Sequence, residues 1–314
     1  MVSYAIGKKR TLRKVNPWPY IFSAPFLIAF FMFSVYPILF SFQLSAYNWN
    51  GISPVRTYVG LKNYIRLFTG DTLFMKALGN SALFVVIIVP LQLVAGVVMA
   101  YALFRFEKGR RLFQTMNFLP YITTPVAIGV IFAYMFDWNS GIVNGVLTHL
   151  GILKENYAWL HEVWSARMIV ILMCLWRCAG YYMTIYLSAM LAVPQEQCEA
   201  AEIDGANSRQ VFFRIILPSV RNTTVFLMIT GLIGCFQLFD EPVQLYSGWS
   251  AGVSNVGGPS YSVYTVIWKF YTDAYKANNA IGYASAEAMI LFVLIAILSL
   301  ISFFVSNRKG DEDA

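Results

Sequence analysis

Residues 194–218 read PQEQCEAAEIDGANSRQVFFRIILP, a polar stretch between two long apolar blocks. The pattern is helix, break, helix. Pro194 suits the opening of a first helix, and the acids in its early turns favour the positive end of the helix dipole. Gly205 permits the left-handed turn that ends it. Asn207 or Ser208 can cap a second helix, expected to expose Val211, Phe212, Ile215 and Ile216 before Pro218 starts the next block. Such an elbow is suited to a groove on another protein, or to the membrane surface as an interfacial helix.

Outward from the elbow, the chain is 58% hydrophobic and 12% charged over 314 residues. Soluble domains carry about 25% charged residues. Too little polar side chain is present to coat a globule of this size. A membrane span needs about 20 apolar residues, and six blocks qualify: 18–44, 77–104, 112–136, 167–193, 221–244 and 283–306. Lys8, Lys9, Arg10, Arg13 and Lys14 precede the first block, as in a secretion signal. Its apolar run is too long for a signal core and no small-residue cleavage site follows, so a retained anchor is expected.

Lysine and arginine orient the spans. Fourteen fall in the N-terminal segment, the loops after spans two and four, and the tail; seven fall in the other three loops. Positive residues stay in the cytoplasm. This predicts an all-α membrane protein of six transmembrane helices with both termini cytoplasmic. Its parts are a 1–17 N-terminal segment, an 18–306 transmembrane domain that includes the 194–218 loop, and a 307–314 tail.

The net charge of +7 lies between the apolar blocks, a pattern of membrane orientation rather than nucleic-acid binding. Cys174, Cys178, Cys198 and Cys235 form no disulfide framework, and with two histidines no metal cluster is expected. There is no Walker A string and no paired acid–base or nucleophile constellation. No catalytic residue, metal or resident cofactor is therefore expected, and the chain is not expected to hydrolyse ATP itself.

The string Glu-Ala-Ala, three residues, Gly, nine residues, Ile-x-Leu-Pro resembles the signature of permease subunits of binding-protein-dependent ABC importers. Glu199, Ala200, Ala201, Gly205, Ile215, Leu217 and Pro218 match it. Gly60-LKNYIRLF, Pro90-LQLVAG, Phe118-LPYITTPVAIGVIF, Trp176-Arg177, Gly257-Gly258-Pro259 and Gly282-YASAEA are similar to the maltose-type carbohydrate permeases, chiefly to their first-subunit, maltose-permease-F-like branch (carbohydrate uptake type 1). The extra N-terminal spans and large external domain of that branch's larger member have no counterpart, which implies the compact six-span form.

The resemblance implies a type I ABC importer fold in the cell membrane. It implies a second permease subunit, two ATPase subunits holding ATP and Mg, a solute-binding protein and a sugar substrate. The elbow would be the coupling helix seated in the ATPase, with Glu199, Ala200, Ala201, Asp204, Gly205, Ala206, Phe212, Ile215, Leu217 and Pro218 carrying the contact. Glycerol phosphate or another polyol-like solute is an alternative, as is an ion-coupled secondary transporter, which predicts inverted repeats that are not evident.

For a substrate path, aromatic faces and a few polar groups are the requirement for sugars. Trp176, Arg177, Cys178 and Tyr181, with the Gly231, Gly234, Cys235 and Leu238 stripe, match the sugar-pocket positions of the maltose-type permeases. Tyrosines also pack in spans, and glycines also permit close helix contact. Charges in spans are costly. Arg177 could pair with an acid, bind a substrate carboxylate or snorkel. Asp240, Glu241 and Glu287 are read either as outer-vestibule residues, solvated or in contact with a binding protein, or as a polar ring at the entrance that hydrogen-bonds sugar hydroxyls.

Overall fold

Backbone groups in hydrocarbon must bond within their own segment, and the apolar blocks do so as helices. The computed structural model describes residues 18–106, 108–247, 256–277 and 280–311. The expected 1–17 segment and the last three residues of the tail lie outside the described residues.

Helix α1 (Trp18–Ser45) passes through a π-helical turn at Phe31–Val35. Pro37 stands two residues beyond it and lacks an N–H, which the wider turn accommodates. Residues Trp18–Val35 bury nothing, and burial begins only at Leu44 and Ser45. A two-residue hairpin pair, β1 (Tyr47–Asn48) and β2 (Thr57–Tyr58), and α2 (Lys62–Thr69) lead to α3 (Thr72–Arg105). The Asp71 side chain caps α3 by accepting the Phe74 N–H at 2.9 Å.

The third block is not one rod. It forms α4 (Arg110–Ile122) and α5 (Pro125–Met135), bent by 93°. Pro125 disfavours the helical conformation at Thr124, whose backbone is extended (φ −60°, ψ 133°) and whose hydroxyl caps α5. Five described helices are long and apolar enough to span, and the bent pair makes six if it counts as one.

Helix α6 (Ile142–His149) lies in the next loop, followed by the long α7 (Val163–Leu191). α3 and α7 pack along each other, and α4 packs on α7. Gly180 permits the latter approach, because a Cβ there would overlap the Asn117 backbone carbonyl.

The elbow is α8 (Gln195–Ile203) and a second helical run, α9 (residues 208–219), with a π-helical turn at Phe212–Ile216. Val220 breaks the run (φ −90°, ψ 13°), so the next span, α10 (Arg221–Phe236), begins after Pro218 rather than at it. The fifth block also divides. α10 ends at Phe236, and α11 (Asp240–Ser247) follows a short break. After α12 (Val266–Tyr271) and a π-helical turn, α13 (Ile281–Asp311) closes the bundle.

One apolar core joins α3, α5, α7, α10, α11 and α13. A second, at the elbow end, joins α3, α7, α9 and α10. At the opposite end an ionic cluster ties three elements together. Lys269 Nζ lies 2.9 Å from Asp71, 2.5 Å from Asp273 and 2.8 Å from Glu287. The Tyr283 hydroxyl also donates to Asp71, at 2.8 Å.

Candidate functional site: a central cavity and an exposed elbow

Where α7 passes α3, α4 and α10, a cavity of about 210 Å³ opens. Arg177, Cys178 and Tyr181 face it from α7, and Gly231, Gly234 and Cys235 from α10, with Leu238 just beyond. The structure thus brings seven of the ten sequence-predicted path residues to one wall.

Three others lie elsewhere. Trp176 points out of this cavity, toward a neighbouring recess lined by α4 and 5.8 Å from the Phe132 ring, because successive residues on a helix point about 100° apart. Asp240 is exposed and does not line the cavity. Glu287 is fully buried against Lys269. For Glu287 this corrects both the vestibule and the entrance-ring readings. A carboxylate in an apolar span needs a cation, and Lys269 supplies it.

Aromatic and polar groups shape the cavity. Tyr121 of α4 stacks on Tyr181 at 4.6 Å with a 17° interplanar angle. Gln92 of α3 donates to the Cys174 carbonyl at 3.4 Å, and Thr230 lines the opposite side. Arg177 Nη2 meets Glu241 Oε1 of α11 at 2.7 Å. Of the open options for Arg177, the pairing with an acid is the one observed. Glu241 is therefore not solvated: its side chain is 5% exposed, and that of Arg177 20%.

Gln92 and Tyr121 were not singled out from the sequence as path residues. Gln92 did carry a signal, as a polar residue in the middle of an apolar block. Tyr121 carried none, because its place depends on the bend between α4 and α5.

At the elbow, α8 has no fully buried residue, and only Cys198 and Ala201 lean on the second core. Glu199, Ala200 and Asp204 are exposed, and Ala201 and Ala206 are half-buried. Gln195 holds Glu199 by a 2.7 Å hydrogen bond. Gly205 takes φ +86°, the left-handed turn expected of it. Asn207 caps α9 in a reciprocal box with Gln210.

The apolar face of α9 differs from expectation. Val211 and Ile216 are 5% and 2% exposed, and Phe212 packs on Tyr101 at 4.3 Å. Ile215 and Leu217 are half-buried, and Pro218 is exposed. That face docks onto the chain's own second core, because burying it there removes apolar surface from water without a partner. The outward residues are Ile203, 85% exposed, and Phe213, 62% exposed.

A broken-helix bundle with a half-polar cavity at its centre and a capped helical elbow at one end is the build of a polytopic membrane permease. The profile of the family described as "Binding-protein-dependent transport system inner membrane component" matches residues 92–310. The probable ABC transporter permease protein YurN of Bacillus subtilis is 31% identical over 295 residues, covering 93% of this chain and 97% of that one. The lactose transport system permease protein LacF of Rhizobium radiobacter is 32% identical over 297 residues, covering 94% and 95%. A chain of a bacterial alginate ABC transporter, solved with an alginate pentasaccharide-bound periplasmic protein, shares the fold. Its TM-score is 0.79 at 21% identity, over 93% of this chain and 95% of that one. The chain belongs to the binding-protein-dependent transport system inner membrane component family, and is a multi-pass inner-membrane protein.

Proposed function

We propose that the chain forms half of the translocation path for a sugar or oligosaccharide, delivered by a solute-binding protein and driven by ATPase subunits. The observation that carries this is the cavity: stacked Tyr121 and Tyr181 beside Arg177, Gln92 and Thr230 give an aromatic face with hydrogen-bonding edges. Its 210 Å³ falls below the roughly 300–1,000 Å³ of complete small-molecule sites. A second permease facing it would supply the other wall. The unburied length Trp18–Val35 offers that partner an apolar surface.

The relatives' names support the solute class: lactose, arabinooligosaccharides and diacetylchitobiose occur among them. The elbow, with Glu199, Ala200, Asp204 and Gly205 outward, is the contact for an ATPase that binds ATP and Mg. Both termini and the elbow then lie in the cytoplasm, in keeping with the lysine and arginine distribution. Closure of the ATPase pair moves α8, and α9, seated on α3 and α7, passes that displacement to the cavity helices. No step of hydrolysis falls to this chain.

Gly234 has nothing within 4 Å of a Cβ position and lines the cavity. Gly234→Phe is expected to insert and assemble normally yet lower uptake of labelled oligosaccharide at least about tenfold. Wild-type uptake by this variant in proteoliposomes would remove the cavity from the path.

A further inference from the structure

The cavity's charge is decided by a residue that does not line it. Among the described residues Arg177 is the one cation that lines the cavity, and Glu241, from a different helix, stands 2.7 Å from its guanidinium. We propose that Glu241 sets the charge class of the transported solute. By cancelling Arg177 it makes the cavity a site for an uncharged sugar, and it excludes uronates and other anionic sugars. This rests on the reading that the cavity is the solute site.

Two buried charges in contact attract each other strongly, and removing one strands the other. An incoming carboxylate either shares Arg177 with Glu241, which sets two negative charges beside one positive, or displaces Glu241. Glu241 would then be left buried and unpaired, which costs more than the new pair returns. Among the described residues, the remaining polar lining groups, Gln92, Thr230, three tyrosines and three cysteines, offer no second cation.

A neutral sugar meets no such obstacle. The Arg177 side chain keeps 20% of its surface exposed beside Glu241. A guanidinium carries five N–H donors, so a sugar hydroxyl can accept from one of them without breaking the ion pair. The stacked Tyr121 and Tyr181 rings offer an apolar face to the sugar's C–H surface. Exclusion by a fixed counter-charge is specificity through a penalty on the wrong ligand.

The test uses the assembled transporter, with its partner permease and ATPase, purified without the binding protein so that delivery does not filter the ligands. Matched pairs are compared by equilibrium dialysis: galactobiose against digalacturonate, and cellobiose against diglucuronate. The wild type is expected to favour the neutral member by about tenfold or more. Glu241→Gln should reverse that preference, and Arg177→Gln/Glu241→Gln should restore it.

A wild-type preference for uronates overturns the inference with no variant needed. So does a preference unchanged in Glu241→Gln. In both cases the cavity remains a sugar site. If neither class binds the wild type, and Gly234→Phe leaves uptake intact, the solute-site reading falls and the inference with it.

Discussion

Lys269 is the residue whose surroundings demand it most. Three carboxylates converge on its ammonium, and the oxygens of Asp71, Asp273 and Glu287 lie within 4.8 Å of one another. Burial opposes its charge, but the carboxylates outweigh that and raise its pKa, so it stays protonated through the physiological range. Lys269→Met removes the balance and leaves the carboxylates facing one another. The expected cost is about 3–5 kcal/mol, read as a clear fall in melting temperature in detergent; an unchanged melt would make the cluster ornamental. Asp71 makes the same clamp sensitive to acid. Burial works against its ionisation, yet Lys269, the Phe74 amide and the Tyr283 hydroxyl prevail and hold its pKa below the ordinary 3.8. A lowered carboxylate contributes stability that is complete above its unfolded pKa and drains away as pH falls through its folded one. The melting temperature should therefore decline as pH drops below about 4, and Asp71→Asn, which keeps a capping side chain, should flatten that decline.

Among the elements, the elbow was the most legible and yet half misread. Pro194, Gly205 and Asn207 each act at a local backbone position, so their roles followed from spacing: Pro194 before the first turn of α8, Gly205 at φ +86°, Asn207 in a capping box. The burial of Val211 and Ile216 did not follow, because an apolar stripe does not say which surface covers it. With that stripe turned inward, Ile203 is the exposed apolar tip. Ile203→Glu should leave the melting temperature close to wild type, since surface changes cost within about 0.5 kcal/mol. It should sharply reduce the ATPase that co-purifies with the permease. Undiminished co-purification would move the docking surface off α8. The break between α4 and α5 belongs to this scale too. Pro125 was visible, but proline in a membrane helix can kink it or stop it, and only the neighbours choose.

For the whole molecule, the first span is the unfinished part. Trp18–Val35 buries no side chain, whereas α3 and α7 bury residues along most of their length. An apolar rod that leaves its own bundle suits a second subunit's surface. Cross-linking from single cysteines placed at Phe22 or Phe33 should capture the companion permease in the assembled transporter, and capture of lipid alone would argue against a role in assembly.

By itself the sequence determined the membrane class, the six apolar blocks and the elbow with its glycine turn, whereas the seven residues that meet at the cavity were implied by the resemblance to the maltose-type permeases. Hydropathy, helical spacing and capping depend on neighbours in the chain, so they can be read along it. Only the tertiary structure decided that Arg177 faces Glu241, that Glu287 belongs to Lys269, that Trp176 points away, and that Tyr121 completes the cavity. Those pairings depend on how each helix is rotated about its axis and where it bends. Packing among distant segments sets both, because a buried charge or ring finds its partner across the bundle rather than along the chain.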